Sequence, residues 1–84
     1  MLKLLVVRLE HIKNDVAVYK YYPENKNDYG VISVNINTGQ IKENSPVKGE
    51  YGDENSMYRG FAFTAMREFF KRNNYPKVKM IAWF

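Results

Sequence analysis

The chain contains no cysteine and a single histidine, His11. The first absence excludes a disulfide framework, a thiolate metal site and a cysteine nucleophile. One imidazole cannot supply the multi-histidine ligand sets that hold zinc or iron. Long apolar runs are also missing. The stretch Leu2–Val7 is interrupted by Arg8 and Glu10, too short for the hydrophobic region of an export signal, and followed by no small-residue cleavage site. Nothing approaches the roughly 20 apolar residues of a membrane span. The sequence therefore reads as a soluble, cytoplasmic protein that contacts no membrane. Phosphate-binding runs of the Gly-x-x-x-x-Gly-Lys or Gly-x-Gly-x-x-Gly type are absent as well.

What is present is a short chain rich in apolar and aromatic side chains. Its 84 residues are 45% hydrophobic and 15% aromatic, which opposes disorder and suits one domain over 1–84 with one small core. Charge is unevenly placed. Residues 1–56 carry seven basic and eight acidic side chains, a net of −1. Residues 57–84 carry Arg59, Arg67, Lys71, Arg72, Lys77 and Lys79 against Glu68 alone, a net of +5.

Residues 2–11 and 16–22 are β-branched and aromatic runs separated by Lys13-Asn14-Asp15, a turn composition, so they are expected to pair as a hairpin. Ile32, Val34 and Ile36 alternate with Ser33 and Asn35, predicting a strand over 29–36 with one buried face. Gly39 fits the positive φ of a tight turn, and 40–43 returns as a short strand. Residues 44–52, with Pro46, Gly49 and Gly52, read as an exposed loop. A helix is predicted over 53–73, capped by Asp53 or Ser56. At roughly 100° per residue, Tyr58, Phe61, Ala62, Ala65, Met66 and Phe69 form one stripe, with Phe63 and Phe70 on its flank and Gly60, Thr64, Arg67 and Lys71 opposite. Asn73-Asn74 and Pro76 end the helix, and 77–84 is a last strand. The expected fold is α+β: a mostly antiparallel sheet of four to five strands with one helix packed on one face, in the order β-β-β-(β)-α-β. Whether the last strand runs parallel to its neighbour stays open.

The chain carries Tyr21-Tyr22-Pro23-Glu24-Asn25, Tyr29-Gly30-Val31-Ile32-Ser33, Thr38-Gly39-Gln40-Ile41, Phe61-Ala62-Phe63, Glu68-Phe69-Phe70 and the ending from Tyr75-Pro76 to Met80-Ile81-Ala82-Trp83-Phe84. In these segments it resembles a family of small uncharacterised proteins of Gram-positive bacteria. The resemblance spans nearly the whole chain and implies no activity, because the family has none assigned.

No constellation supports catalysis. A Ser33–His11–Asp15 set has no surrounding motif, and His11 reads as a strand-end surface residue. Glu43, Glu50, Asp53 and Glu54 lie in or beside the loop and lack the spacing of a calcium site. No cofactor, metal or small-molecule substrate is implied. The leading expectation is a non-enzymatic protein-interaction module that associates with itself as a homodimer. Both the first and last strands are apolar on two faces, as central strands are, while one helix covers one face. Tyr19, Tyr21, Leu5, Val7, Leu9, Ile81 and Trp83 are therefore the expected contact set, unless loop 44–52 closes that face. The alternative, less favoured, is nucleic-acid binding through Arg59, Arg67, Lys71, Arg72, Lys77 and Lys79. A weaker variant stacks bases on Tyr19 and Tyr21 with Lys3, Arg8 and Lys20 alongside.

Overall fold

The computed structural model describes residues 2–47 and 54–84, the side chains of 54–56 excepted. The strands are β1 (Lys3–Lys13), β2 (Val16–Pro23), β3 (Gly30–Asn35), β4 (Ile41–Ser45) and β5 (Val78–Trp83), with one helix, α1 (Glu54–Arg72), before β5. They form one sheet in the order β4-β3-β2-β1-β5, and every neighbouring pair is antiparallel. The expected α+β class and the packing of one helix on the sheet are seen. The direction of the last strand is settled as antiparallel to β1.

Local chemistry explains the connections. Lys13 pairs with Val16, leaving a two-residue turn in which Asn14 and Asp15 take φ of 52° and 65°. Asn and Asp tolerate that left-handed region better than other non-glycine residues. At the next hairpin the side-chain Oδ1 of Asn35 accepts the amides of Asn37 (2.8 Å) and Thr38 (3.1 Å). Gly39 follows with φ 78°, and a Cβ there would lie 2.7 Å from the Phe70 ring. The helix ends as its sequence implies. Asn73 takes φ 49°, the Asn74 amide donates to the Phe69 carbonyl and the Asn73 amide to that of Phe70, which is the Schellman arrangement. At the other end, capping by Asp53 lies outside the described residues, as does the acidic stretch Gly49–Asp53; Ser56 falls inside the helix rather than before it.

The helix phase follows the sequence. Tyr58, Ala62, Ala65, Met66 and Phe69 are buried, Phe61 is half-buried, and Gly60, Thr64, Arg67 and Lys71 are exposed. Beneath α1 the sheet presents Leu5 and Val7, Ala17, Tyr19 and Tyr21, and Ile32 and Val34, all buried in one cluster with the helix. Val47 joins this cluster on the helix side; residues 48–52 of the loop expected to close the opposite face lie outside the described residues.

Two sequence-based expectations change here. The expected contact set of Leu5, Val7, Tyr19 and Tyr21 lies in the core, each at most 1% exposed, with Leu9, Ile81 and Trp83 partly buried against it. The seven residues do share one sheet face, but it is the face that α1 covers. Leu5, Val7, Tyr19 and Tyr21 form no free surface for a second copy. The last strand, read as central, is an edge strand. Met80 is 62% exposed and Phe84 95% exposed, and Val78 is exposed on the same side. The two-sided apolar pattern of β1 is real: Val6, on the face away from the helix, is buried between its cross-strand neighbours Tyr22 and Met80.

Candidate functional site

α1 packs against β3, β1, β2 and β4. It holds the end of β5 at Trp83, on which Phe61 stacks with ring centroids 4.0 Å apart and planes 25° apart. Along the rest of β5 the helix leaves a groove of 490 Å³, within the range of small recognition pockets. Its apolar floor is Phe61, Ala65, Phe69 and Ile81, with Pro76 at one end. Arg72 and Lys79 stand at its rim, as does Glu68, whose carboxylate lies 3.6 Å from Arg72.

The groove opens beside an unpaired strand edge. The Leu9 amide donates to the Lys77 carbonyl at 2.8 Å, and the uninterrupted β1–β5 register continues through Val7↔Lys79, Leu5↔Ile81 and Lys3↔Trp83. In an antiparallel ladder, alternate residues turn both backbone groups toward the partner strand. Lys77, Lys79, Ile81 and Trp83 therefore face β1 with their backbone. Val78, Met80 and Ala82 turn their N–H and C=O groups outward, where no strand among the described residues pairs with them. The opposite edge, β4, differs. It is shorter, its pairing with β3 is broken by a register shift, and Lys42, Glu43 and Asn44 lie along it, features that discourage strand addition.

The six basic residues of the nucleic-acid expectation lie along α1 and at the start of β5. Arg59 is 3.6 Å from Glu43 and lines a shallow hollow with Gly60, Phe63 and Arg67. Lys71 is exposed on the helix, Arg72 and Lys79 flank the groove, and Lys77 lies just before β5. Tyr19 and Tyr21 cannot stack on bases because α1 covers them. The Tyr19 hydroxyl donates to the Pro76 carbonyl (2.8 Å) and that of Tyr21 to Glu43 (3.2 Å), and burial raises the pKa of both phenols above the usual tyrosine value. On the open sheet face Tyr22 and Tyr29 lie 5.4 Å apart. Arg8 lies over the first ring and Lys20 over the second.

Of the residues considered for catalysis, His11 is exposed and the Ser33 hydroxyl donates to Asn44 Oδ1 at 2.9 Å. Among the described residues no three histidine, aspartate or glutamate side chains gather as metal ligands, and no helix is long and apolar enough to cross a membrane. Sequence reasoning missed the outward backbone of Val78, Met80 and Ala82. The available signal was the alternation of Lys77 and Lys79 with apolar residues, a pattern typical of edge strands. The chain matches no family model, no curated protein and no solved structure.

Proposed function

We propose that this protein is a non-enzymatic protein-interaction module that captures an extended segment of a partner as an additional strand on β5. The observation supporting this reading is the run of outward backbone groups at Val78, Met80 and Ala82 directly beside the apolar groove under α1. In strand addition, main-chain hydrogen bonds supply affinity and a neighbouring pocket selects alternate side chains. β5 offers both, and its exposed Val78 and Met80, with Phe84 just after it, gain cover when a strand lies alongside. A small molecule in the groove alone leaves those backbone groups unused.

The test is selection from a random peptide library on immobilised protein, followed by binding to a Met80→Pro variant. The N–H removed by proline points away from β1, so the ladder inside the sheet is kept, as edge strands allow. Recovered peptides are expected to bind the parent protein and to lose binding to the folded variant. Recovery of no peptide, or equal binding to both proteins, overturns the reading.

A further inference from the structure

We infer that the segment captured by β5 is acidic at one end and apolar at the other, with two apolar residues at alternate positions followed by two acidic residues at alternate positions. This inference rests on the strand-capture reading and adds the partner's chemistry. Side chains of Trp83, Ile81 and Lys79 alternate onto the helix side of β5, and Lys77, in the bend before the strand, extends the run through its carbonyl, which accepts the Leu9 amide. A strand hydrogen-bonded to Val78, Met80 and Ala82 stands opposite these four in the closer, non-hydrogen-bonded positions, where cross-strand side chains interact most. Antiparallel addition continues the pattern of the whole sheet. The incoming chain then meets Trp83 first, Ile81 second, Lys79 third and Lys77 last. The residue facing Ile81 lies at the mouth of the apolar groove, which has Ile81 in its wall. The residues facing Lys79 and Lys77 meet two exposed ammonium groups, with Arg72 on the same rim as Lys79.

Charge separates this occupant from a second copy of the chain. Two copies paired antiparallel through β5 about Met80 set Lys79 opposite Ile81 and diagonal to the other Lys79. They also bring together two C-terminal regions that each carry a net +5. An acidic segment replaces that repulsion with two cross-strand ion pairs and directs encounter through the field of the basic edge.

The probe is a synthetic peptide with threonine at every second position and valine, isoleucine, glutamate and glutamate, in that order, between them. Titration into the full chain is followed by amide chemical shifts, with sedimentation equilibrium of the free protein alongside. The peptide is expected to shift the Val78, Met80 and Ala82 amides. Replacing both glutamates by lysine is expected to weaken binding about tenfold, since each cross-strand pair passes from attraction to repulsion. The folded Lys77→Glu/Lys79→Glu variant is expected to invert the preference and bind the lysine peptide better. Equal affinity for both peptides at β5 overturns the acidic assignment and leaves strand capture standing. So does a dimer of the free protein abolished by Met80→Pro. Failure of both peptides to shift the β5 amides overturns the assignment too, while peptides selected from the library decide whether the capture reading survives.

Discussion

Trp83 on β5 lies flat against Phe61 of α1, at 4.0 Å between ring centroids. Tyr58 meets the same indole edge-on at 5.6 Å, and Trp83 Nε1 lies 3.2 Å from Met57 Sδ. The edge strand is thus pinned to the helix at its C-terminal end and stands away from it elsewhere, which is why the groove exists. Trp83→Ala is expected to cost about 2–3 kcal/mol, less than a fully buried aromatic, whereas Phe69→Ala, at the centre of the core, should cost about 3–5 kcal/mol. Urea unfolding followed by circular dichroism checks both. A cost near zero for Trp83→Ala would mean that the stack does not anchor β5.

Gly60 occupies the exposed side of α1, and a Cβ built there meets nothing within 4 Å. Glycine inside a helix is about 0.5–1 kcal/mol less favourable than alanine. Gly60→Ala should therefore stabilise the protein by about that amount, read as a higher urea midpoint with an unchanged slope. A lower midpoint would show that the position is packed.

Glu24 joins three parts of the fold. Its Oε2 accepts the Leu4 amide at 2.9 Å and the Tyr58 hydroxyl at 2.7 Å. The backbone bond first, and the phenol second, hold its pKa below the ordinary glutamate value. A lowered folded-state pKa contributes stability that is present above the unfolded value, about 4.3, and lost as pH falls through the folded one. The parent should exceed Glu24→Gln in stability at neutral pH, and the difference should shrink as the pH is lowered below about 4. A constant difference down to pH 3 would contradict this role for the carboxylate.

Arg67 and Lys71 lie on the water side of α1, away from the proposed strand site. The Arg67→Glu/Lys71→Glu variant is expected to fold normally and to bind β5-directed peptides within about twofold of the parent, since distant exposed charges couple weakly through salt. Oligonucleotide binding that falls steeply between about 50 and 200 mM salt, and that this variant abolishes, would instead place function on the helix.

The strands and the helix phase were readable because period two and period 3.6 mark a buried face regardless of what covers it. Ile32 and Val34 alternate onto the core, and Ala62, Ala65 and Phe69 do so along α1. The layout of the sheet was not readable from the same pattern. In β1, two-sided apolarity arises from burial on both faces. In β5, Ile81 and Trp83 pack toward α1 while Val78 and Met80 meet water, as does Phe84 beyond the strand. An edge strand and a strand buried in a sheet share one composition here, and only the strands beside them tell the two apart. Tyr19, Tyr21, Leu5 and Val7 were grouped on one face by alternation, but alternation does not say which face the helix takes.

Amide hydrogen exchange on β5, with and without a library-selected peptide, tests the central claim most directly. Bound peptide should slow exchange at Val78, Met80 and Ala82 at least about tenfold, because only those amides gain a partner. Exchange at Lys79 and Ile81, already bonded to β1, should change little. Protection elsewhere on the chain, with these three amides unaffected, would contradict strand capture by β5.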